Sequence, residues 1–433
     1  MSSIAVVGSS FGDEGKGKIV DFLVSKYNID AVARFNGGSG AGHEIVIDGE
    51  KFTFHQVPSG AFLGKKLYIG EGCAVDPELL FNQEVEVLKA KGFEPDLGIS
   101  DNSKVVFDFL REIDGAEESV RDVKTTKRGI GPTYTMDTAR LGMRMYDVAD
   151  EEKLKSKLPK FMKFCQGYLK MLESDYTIDF DQTLKKYLEL SKRIAPYVRD
   201  IRDEINNIHS RKTILFEGAQ GTLLDQIFGV YPNVTSSRTT VDGIYGGTGL
   251  RFGKRIVERI GVFKAYESRM ANTGPFITKM DDEVQDELRK KGDEFGRTTG
   301  NPRNLGWPNL VELKYATERN GFTGLAVTRI DTFAGLDKIK VCKGYLDDKG
   351  NKTDRIPSDS ERYEKYQPVY GELEGWPELS EEKWNSIAKK GYATLPQPVK
   401  NYLKWISYYV KVDVKIVSVG ADRKSTIATK MKI

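Results

Sequence analysis

The sequence predicts an α/β protein with a mainly parallel central sheet and helices on both faces. Three observations carry this expectation. Short apolar, β-branched runs recur along the chain, longer helical stretches separate them, and several runs end in glycine or aspartate. Strands alternating with helices build parallel sheets buried on both sides. Loops at the carboxyl ends of such strands usually carry the ligand site.

Taken in order, the strand candidates are residues 4–8 (IAVVG), 31–35 (AVARF), 66–70 (KLYIG), 213–218 (TILFEG), 260–266 (IGVFKAY), 324–331 (GLAVTRID) and 414–420 (VKIVSVG). Between the third and fourth, residues 151–206 are lysine-rich, with Leu154, Leu158, Phe161, Cys165, Tyr168, Leu169 and Leu172 at helical spacing. That spacing predicts an amphipathic helix packed on the sheet. Residues 345–395 are polar, charged and interrupted by proline and glycine, and read as a loop-rich excursion. With no repeat or low-complexity tract, residues 1–433 read as a single domain.

Composition narrows the setting. Lys and Arg number 66 against 63 Asp and Glu, and a net charge of +3 gives no electrostatic footprint for nucleic acid or an anionic membrane. Cys73, Cys165 and Cys342 show no CxxC spacing, and an odd count suits a reducing compartment. No apolar run is long enough for a membrane helix and no secretory leader is visible, so a cytoplasmic location is expected.

The first strand runs into Gly8-Ser-Ser-Phe-Gly-Asp-Glu-Gly-Lys-Gly-Lys18 and then an apolar helix. Backbone N–H groups and the helix dipole make such a loop an anion site, and lysine adds a charge for phosphate. It departs from the standard P-loop, because six residues separate Gly8 from Gly15-Lys16 and Gly17 stands where Ser or Thr would hold magnesium. Asp13, a carboxylate placed among phosphates, points to metal binding or proton transfer. A second glycine-rich loop follows the next strand and ends Gly42-His43-Glu44. Of three histidines, His43 is the catalytic candidate because its glycine neighbours allow close approach to a ligand, whereas His209 receives no role.

GDEGKGK followed about 25 residues later by AGH resembles adenylosuccinate synthetases. The likeness continues through TTKRGIGPTY (125–134), LFEGAQGTLLD (215–225), YPNVTSS (231–237), GPF (274–276), LPQ…NYLKW (395–405) and VGADR (419–423). It implies a P-loop-like, GTP-dependent ligase fold and a reaction joining aspartate to IMP, with GDP and phosphate released. The purine O6 leaves poorly, so it is first phosphorylated, and the aspartate amine then displaces phosphate at C6.

The resemblance also implies roles. Asp13 would be the general base at N1 and a Mg²⁺ ligand, with the Gly42 carbonyl as second protein ligand. His43 would stabilise the phosphorylated O6, and Lys16 the transferred phosphoryl group. Gly12, Gly15 and Gly17 would cradle GTP phosphates. Thr126 and Thr235 would hold the 5′-phosphate of IMP, helped by Arg140 from a neighbouring subunit of a homodimer. Gln220 would bond the base edge. Thr298, Thr299 and Arg303 would bind aspartate. Asp331 would select guanine, flanked by Arg329, Ser418 and Gly420.

Five positions depart from the family pattern: Gly40 for Asn, Asn301 for Arg, Met270 for Val, Arg329 for Lys and Glu44 for Thr. Three of these fall where ribose and its phosphate would lie. They keep open an alternative nucleotide, dGMP, as used by a phage relative of the family, although retention of Asp13 ranks IMP first. A GTP-binding protein that performs no ligation is the remaining alternative.

Overall fold

Alternation along the first strand sets the layering. In β1 (Ser3–Gly8), Ile4 and Val6 enter one buried cluster and Ala5 and Val7 the other, on the opposite face. Both faces being covered, the strand has no solvent side, which is why it reads as a continuous apolar run. The computed structural model describes residues 3–121, 123–271, 273–296, 300–429 and 431.

The remaining strands of this sheet are β2 (Ala31–Arg34), β3 (Lys66–Ile69), β4 (Leu97–Ser100), β5 (Val198–Arg199), β6 (Ile214–Gly221), β7 (Glu258–Lys264), β8 (Gly324–Thr328), β9 (Val414–Ser418) and β10 (Thr426–Ala428). They lie in the order β5-β4-β3-β2-β6-β1-β7-β8-β9-β10. Every neighbouring pair is parallel except β9 with β10. From β1 the chain skips one position to β2 and runs outward to β5. It then returns to fill the gap with β6 and crosses to β7, β8 and β9. Connections therefore diverge on either side of β1, which opens a crevice at the carboxyl ends of the central strands.

Helix α1 (Lys16–Lys26) follows β1, and Gly15 caps it in the left-handed region at φ 84° with no side-chain cap. Its first N–H groups are thus left for a ligand at the crevice. The lysine-rich segment forms two helices rather than one. Asp150 caps α2 (Glu151–Met171) and Asp179 caps α3 (Phe180–Ile194). Leu154, Leu158, Phe161, Cys165 and Leu169 are buried, as their spacing predicts, while Tyr168 and Leu172 are half-buried.

The stretch expected to be loop-rich is more ordered than its composition suggests. Lys338–Leu346, Lys352–Thr353 and Gln367–Glu374 form a small antiparallel sheet, with helices Ser360–Glu364 and Glu381–Lys390 in the same stretch. It reads as polar because the Gln367–Glu374 strand is half-exposed along its length. Tyr345, Tyr363 and Tyr366 supply its buried anchor.

Candidate active site

The crevice is lined from the carboxyl ends of five strands. The loop after β1 contributes Gly12, Asp13, Gly15, Lys16, Gly17 and Lys18. The loop after β2 contributes Gly40, Gly42, His43 and Glu44, and the end of β6 contributes Gln220, its next-to-last residue. Arg329 follows β8, and Ser418 and Gly420 end and follow β9. Thr126, Met270 and Arg303 complete the wall. Asp13 and His43, thirty residues apart in sequence, therefore face one cavity.

Three non-glycine residues here hold left-handed backbone: Asp13 at φ 61°, Gln220 at φ 57° and Arg329 at φ 63°. Such geometry costs on the order of 1–3 kcal/mol each and concentrates where a side chain must be aimed. Gly17 has a different reason to be glycine. A Cβ there would stand 3.1 Å from His43 Cβ, 3.2 Å from Ser59 Oγ and 3.3 Å from the Glu44 carbonyl. The missing side chain lets the hairpin bearing His43 close on the start of α1, so the serine of an ordinary P-loop would crowd it.

Glu14, which sequence reasoning passed over, organises the glycine loop. It is buried, accepts from the backbone N–H of Ser10 and Gly12 at 3.0 Å each, and pairs with Lys16 Nζ at 2.6 Å. Lys16 therefore reaches the cavity wall with its charge already anchored. Lys18 was also passed over. Its Nζ donates to Ser418 Oγ at 2.6 Å and to the Gly420 carbonyl, tying α1 to the loop after β9. Burial pulls its pKa down to about 7, against the pull of Asp331 and with the help of Arg329.

His43 is held by a residue that no motif singled out. Its Nδ1 bonds Glu217, a buried carboxylate of β6. Glu217 also accepts from Ser59 Oγ at 2.7 Å and from Ser59 N at 2.8 Å. A carboxylate can only accept, so Nδ1 carries the hydrogen, and Nε2 has no hydrogen-bond partner among the described residues. Burial, reinforced by Arg34, lowers the His43 pKa to about 4 despite Glu217. The ring is thus neutral at physiological pH, with one nitrogen fixed. The signal for Glu217 lay in plain view: an acidic residue inside an otherwise apolar strand run.

Arg303 faces Asp13 on one edge, Nε to Oδ2 at 2.9 Å, and Glu294 on the other, NH1 to Oε2 at 3.0 Å. Glu294 is fully buried and also holds Lys264 Nζ at 2.9 Å and the Tyr266 hydroxyl at 2.5 Å. Asp331 lines an adjoining cavity that shares Glu44, Arg329 and Gly420 with the first. Its Oδ1 is shut off from solvent and has no hydrogen-bond partner among the described residues. A buried carboxylate oxygen without a donor is costly unless a ligand supplies one.

Two expected residues stand apart. Thr235 is half-buried outside both cavities, its backbone N bonded to the carbonyl of Leu224, itself a lining residue. Arg140 is exposed at the end of helix Ile130–Thr138, with φ 63°. Thr298 and Thr299 lie outside the described residues.

A parallel sheet with a glycine loop and helix N-terminus at its switch point, and with an acid and a fixed imidazole over one cavity, defines a nucleotide-dependent enzyme. The family model described as adenylosuccinate synthetase matches residues 5–427. The chain belongs to the adenylosuccinate synthetase family, which are GTP-dependent ligases. It is 41% identical over 432 residues to the adenylosuccinate synthetase of Thermodesulfovibrio yellowstonii, covering 99% of each chain. To the Caldanaerobacter subterraneus enzyme it is 41% identical, again over 99% of each. The structure of fully ligated adenylosuccinate synthetase from Plasmodium falciparum superposes with a TM-score of 0.90 at 31% identity, covering 99% of both chains. A cyanophage S-2L succinoaminodeoxyadenylate synthetase bound to dGMP and dATP shares only the fold, at 17% identity and a TM-score of 0.63 over 99% of this chain and 96% of that one.

Proposed function

We propose that the protein joins L-aspartate to C6 of IMP, consuming GTP and releasing adenylosuccinate, GDP and phosphate. The observation that carries this reading is the meeting of Asp13, Lys16 and His43 on one cavity wall beside an uncapped helix N-terminus. Asp13 takes the N1 proton, which raises electron density at O6. Lys16 and the start of α1 stabilise negative charge on the phosphoryl group passing from GTP to O6. Nε2 of His43 lies on the same wall; while Nδ1 carries the only ring hydrogen it can only accept, so to stabilise the phosphorylated oxygen it must take up a proton, and Glu217 then stabilises the imidazolium. Arg303 grips the aspartate carboxylate, which then competes with Asp13 for the guanidinium.

The wall also suits Mg²⁺. That ion takes oxygen ligands, usually one or two carboxylates together with phosphates and water. Asp13 and the Gly42 carbonyl are donors of that kind. Among the described residues no three His, Cys, Asp or Glu side chains cluster to hold a metal unaided, so the phosphates would complete the shell. When bound, magnesium would neutralise phosphate charge during transfer.

Guanine selection rests on Asp331, whose unpartnered oxygen suits the N1–H and 2-amino donors of guanine. Arg329, Ser418 and Gly420 line the cavity next to it. Thr126 and Thr235 would hold the IMP phosphate, with Thr298 and Thr299 beside the aspartate. The exposed guanidinium of Arg140 supports a homodimer in which it reaches the partner's IMP phosphate. No described helix is long and apolar enough to cross a membrane, and we place the enzyme in the cytoplasm.

Phosphate release with GTP, Mg²⁺ and aspartate, measured against IMP, GMP and dGMP, tests this reading. Turnover of dGMP but not IMP would reverse the choice of nucleotide. GTP consumption that ignores aspartate would replace the ligase with a GTP hydrolase or switch.

A further inference from the structure

Beneath the glycine loop lie two carboxyl groups that the reaction does not use. Glu267 opens the strand Glu267–Met270, and Glu312 sits in the first turn of helix Leu310–Asn320. Each is 2% exposed; the two carboxyls interact directly, and Glu312 Oε2 is buried with no donor among the described residues. Glu267 Oε1 also accepts from Ser10 Oγ at 3.4 Å, and Glu312 Oε1 meets the Tyr363 hydroxyl at 2.6 Å. The Tyr363 and Tyr345 hydroxyls are 2.9 Å apart, and Tyr345 bonds Asn309 Oδ1 at 2.9 Å.

Counting hydrogens along this chain leaves a deficit. The two phenols supply one hydrogen each, Tyr363 to Glu312 and Tyr345 to Asn309, which leaves none for the contact between the two carboxyls. Asn309 caps the helix by accepting from Glu312 N, so its oxygen, not its amide nitrogen, faces the chain. At least one carboxyl must therefore carry a proton. Charge counting agrees. Three buried carboxyls, Glu14, Glu267 and Glu312, face two buried cations, and Lys16 is already paired with Glu14. Arg269 spends its donors on the Pro275 and Thr273 carbonyls and the Thr273 hydroxyl, and attracts the acid pair only through space.

We propose that Glu267 and Glu312 share one proton and act as a positioning clasp that ties the glycine loop at Ser10, the strand leading to Met270 and the Tyr363 segment to one another. Burial holds both groups above the usual carboxylate range, and the Glu312 carboxyl pushes Glu267 up further. Losing the shared proton leaves two negative charges at hydrogen-bond distance in a dry interior, where repulsion is strongest. Phe11 and Met270, neighbours of Ser10 and Arg269, line the active cavity, so an opened clasp disturbs nucleotide binding rather than the chemical step.

The sign follows from the direction of the shift. A carboxyl raised in the folded state contributes stability at low pH that is lost as pH rises through its folded value. Infrared spectra of the full-length protein at neutral pH should contain a protonated-carboxyl band that shifts in D₂O and disappears on alkaline titration. Glu267→Gln and Glu312→Gln should each remove that band. They should also abolish the one-proton loss of stability that sets in as pH rises above the unfolded carboxylate value and ends at the folded one, together with the rise in KM for IMP and GTP that accompanies deprotonation. A wild-type spectrum without the band overturns the proposal, whether or not the variants fold. So does a band that survives both substitutions, or an unchanged pH slope. The spectral and stability readouts do not depend on which nucleotide is bound, so they stand apart from the assignment of the reaction.

Discussion

Arg303 and Asp13 form an ion pair at 2.9 Å, so the group expected to bind the aspartate carboxylate is matched to the group expected to remove the N1 proton. Glu294 fixes the far edge of the same guanidinium. An arriving carboxylate must therefore displace Asp13, and in doing so frees it to act as a base.

Asp13→Ala should lower kcat by about 10²–10⁴-fold, the range for losing a general base. Arg303→Leu should instead raise KM for aspartate about 10–100-fold, the loss of a charge-assisted bond worth roughly 1.5–3 kcal/mol. Steady-state kinetics with aspartate varied separate the two. If Asp13→Ala keeps activity within a few-fold of wild type, Asp13 is not the base.

Glu217→Gln tests the fixed imidazole. Gln keeps the shape of Glu217 but not its charge, so it no longer stabilises the imidazolium that forms when Nε2 takes up a proton. We expect kcat to fall about 100-fold or more with KM for all substrates little changed. The pH profile adds a second check. Burial holds the His43 pKa near 4, below the unfolded value of about 6.5. The stability tied to its neutral form is therefore present above about pH 6.5 and is lost as pH falls through 4. Chemical-shift titration of the His43 ring should show no protonation between pH 7 and 5; a midpoint near 6.5 would contradict the burial argument.

Gly17→Ala measures how closely the His43 hairpin must approach α1. The new methyl would sit at 3.1 Å from His43 Cβ with two further neighbours within 3.3 Å. The hairpin must retreat by a few tenths of an ångström, which should lower kcat by about tenfold while costing about 1–3 kcal/mol of stability. Thermal unfolding and kcat together test this; wild-type values for both would mean the hairpin yields freely.

Sequence patterns carried most of the sheet because both faces are buried and the strands stay apolar throughout. β4, β5 and β10 escaped notice: β4 is only four residues long with Gly98 inside it, and β5 and β10 are two and three residues at the sheet's edges. The glycine loops were legible as motifs, and those motifs named Asp13, Lys16 and His43. Their supports were not. Glu14 sits inside the motif but pairs with Lys16 and the loop backbone, Glu217 meets His43 only across the fold, Glu294 joins Arg303 to Lys264 thirty residues earlier, and the Glu267–Glu312 contact joins residues 45 apart in sequence. Such pairings follow from strand order, which local spacing does not encode.

Lys18 links GTP binding to pH. Its pKa is lowered to about 7 by burial, and a nearby triphosphate would favour the charged form. Binding should therefore take up a proton, and GTP affinity should fall as pH rises from 7 to 9. Calorimetry in buffers of different ionisation enthalpy reads the uptake directly. Lys18→Met should remove the pH dependence, and a pH-independent affinity in the wild type would show that Lys18 stays charged throughout.

Asp331 offers the sharpest test of base selection. Its Oδ1 is buried and unpartnered among the described residues, so the site presents acceptors where guanine has donors. Adenine offers an acceptor at N1 and would leave that oxygen unsatisfied, which is how a polar site rejects a near-isostere. Asp331→Asn replaces one acceptor with an amide donor and turns a match with the 2-amino group into a clash of donors. KM for GTP should rise about 100-fold or more, a cost of roughly 2–4 kcal/mol for mispaired buried groups. The same amide can donate to a 2-oxo group, so xanthosine triphosphate should become the better substrate of the variant. Competition between the two triphosphates in the phosphate-release assay measures this directly. An unchanged preference for GTP in Asp331→Asn would mean that the base is read elsewhere in the fold.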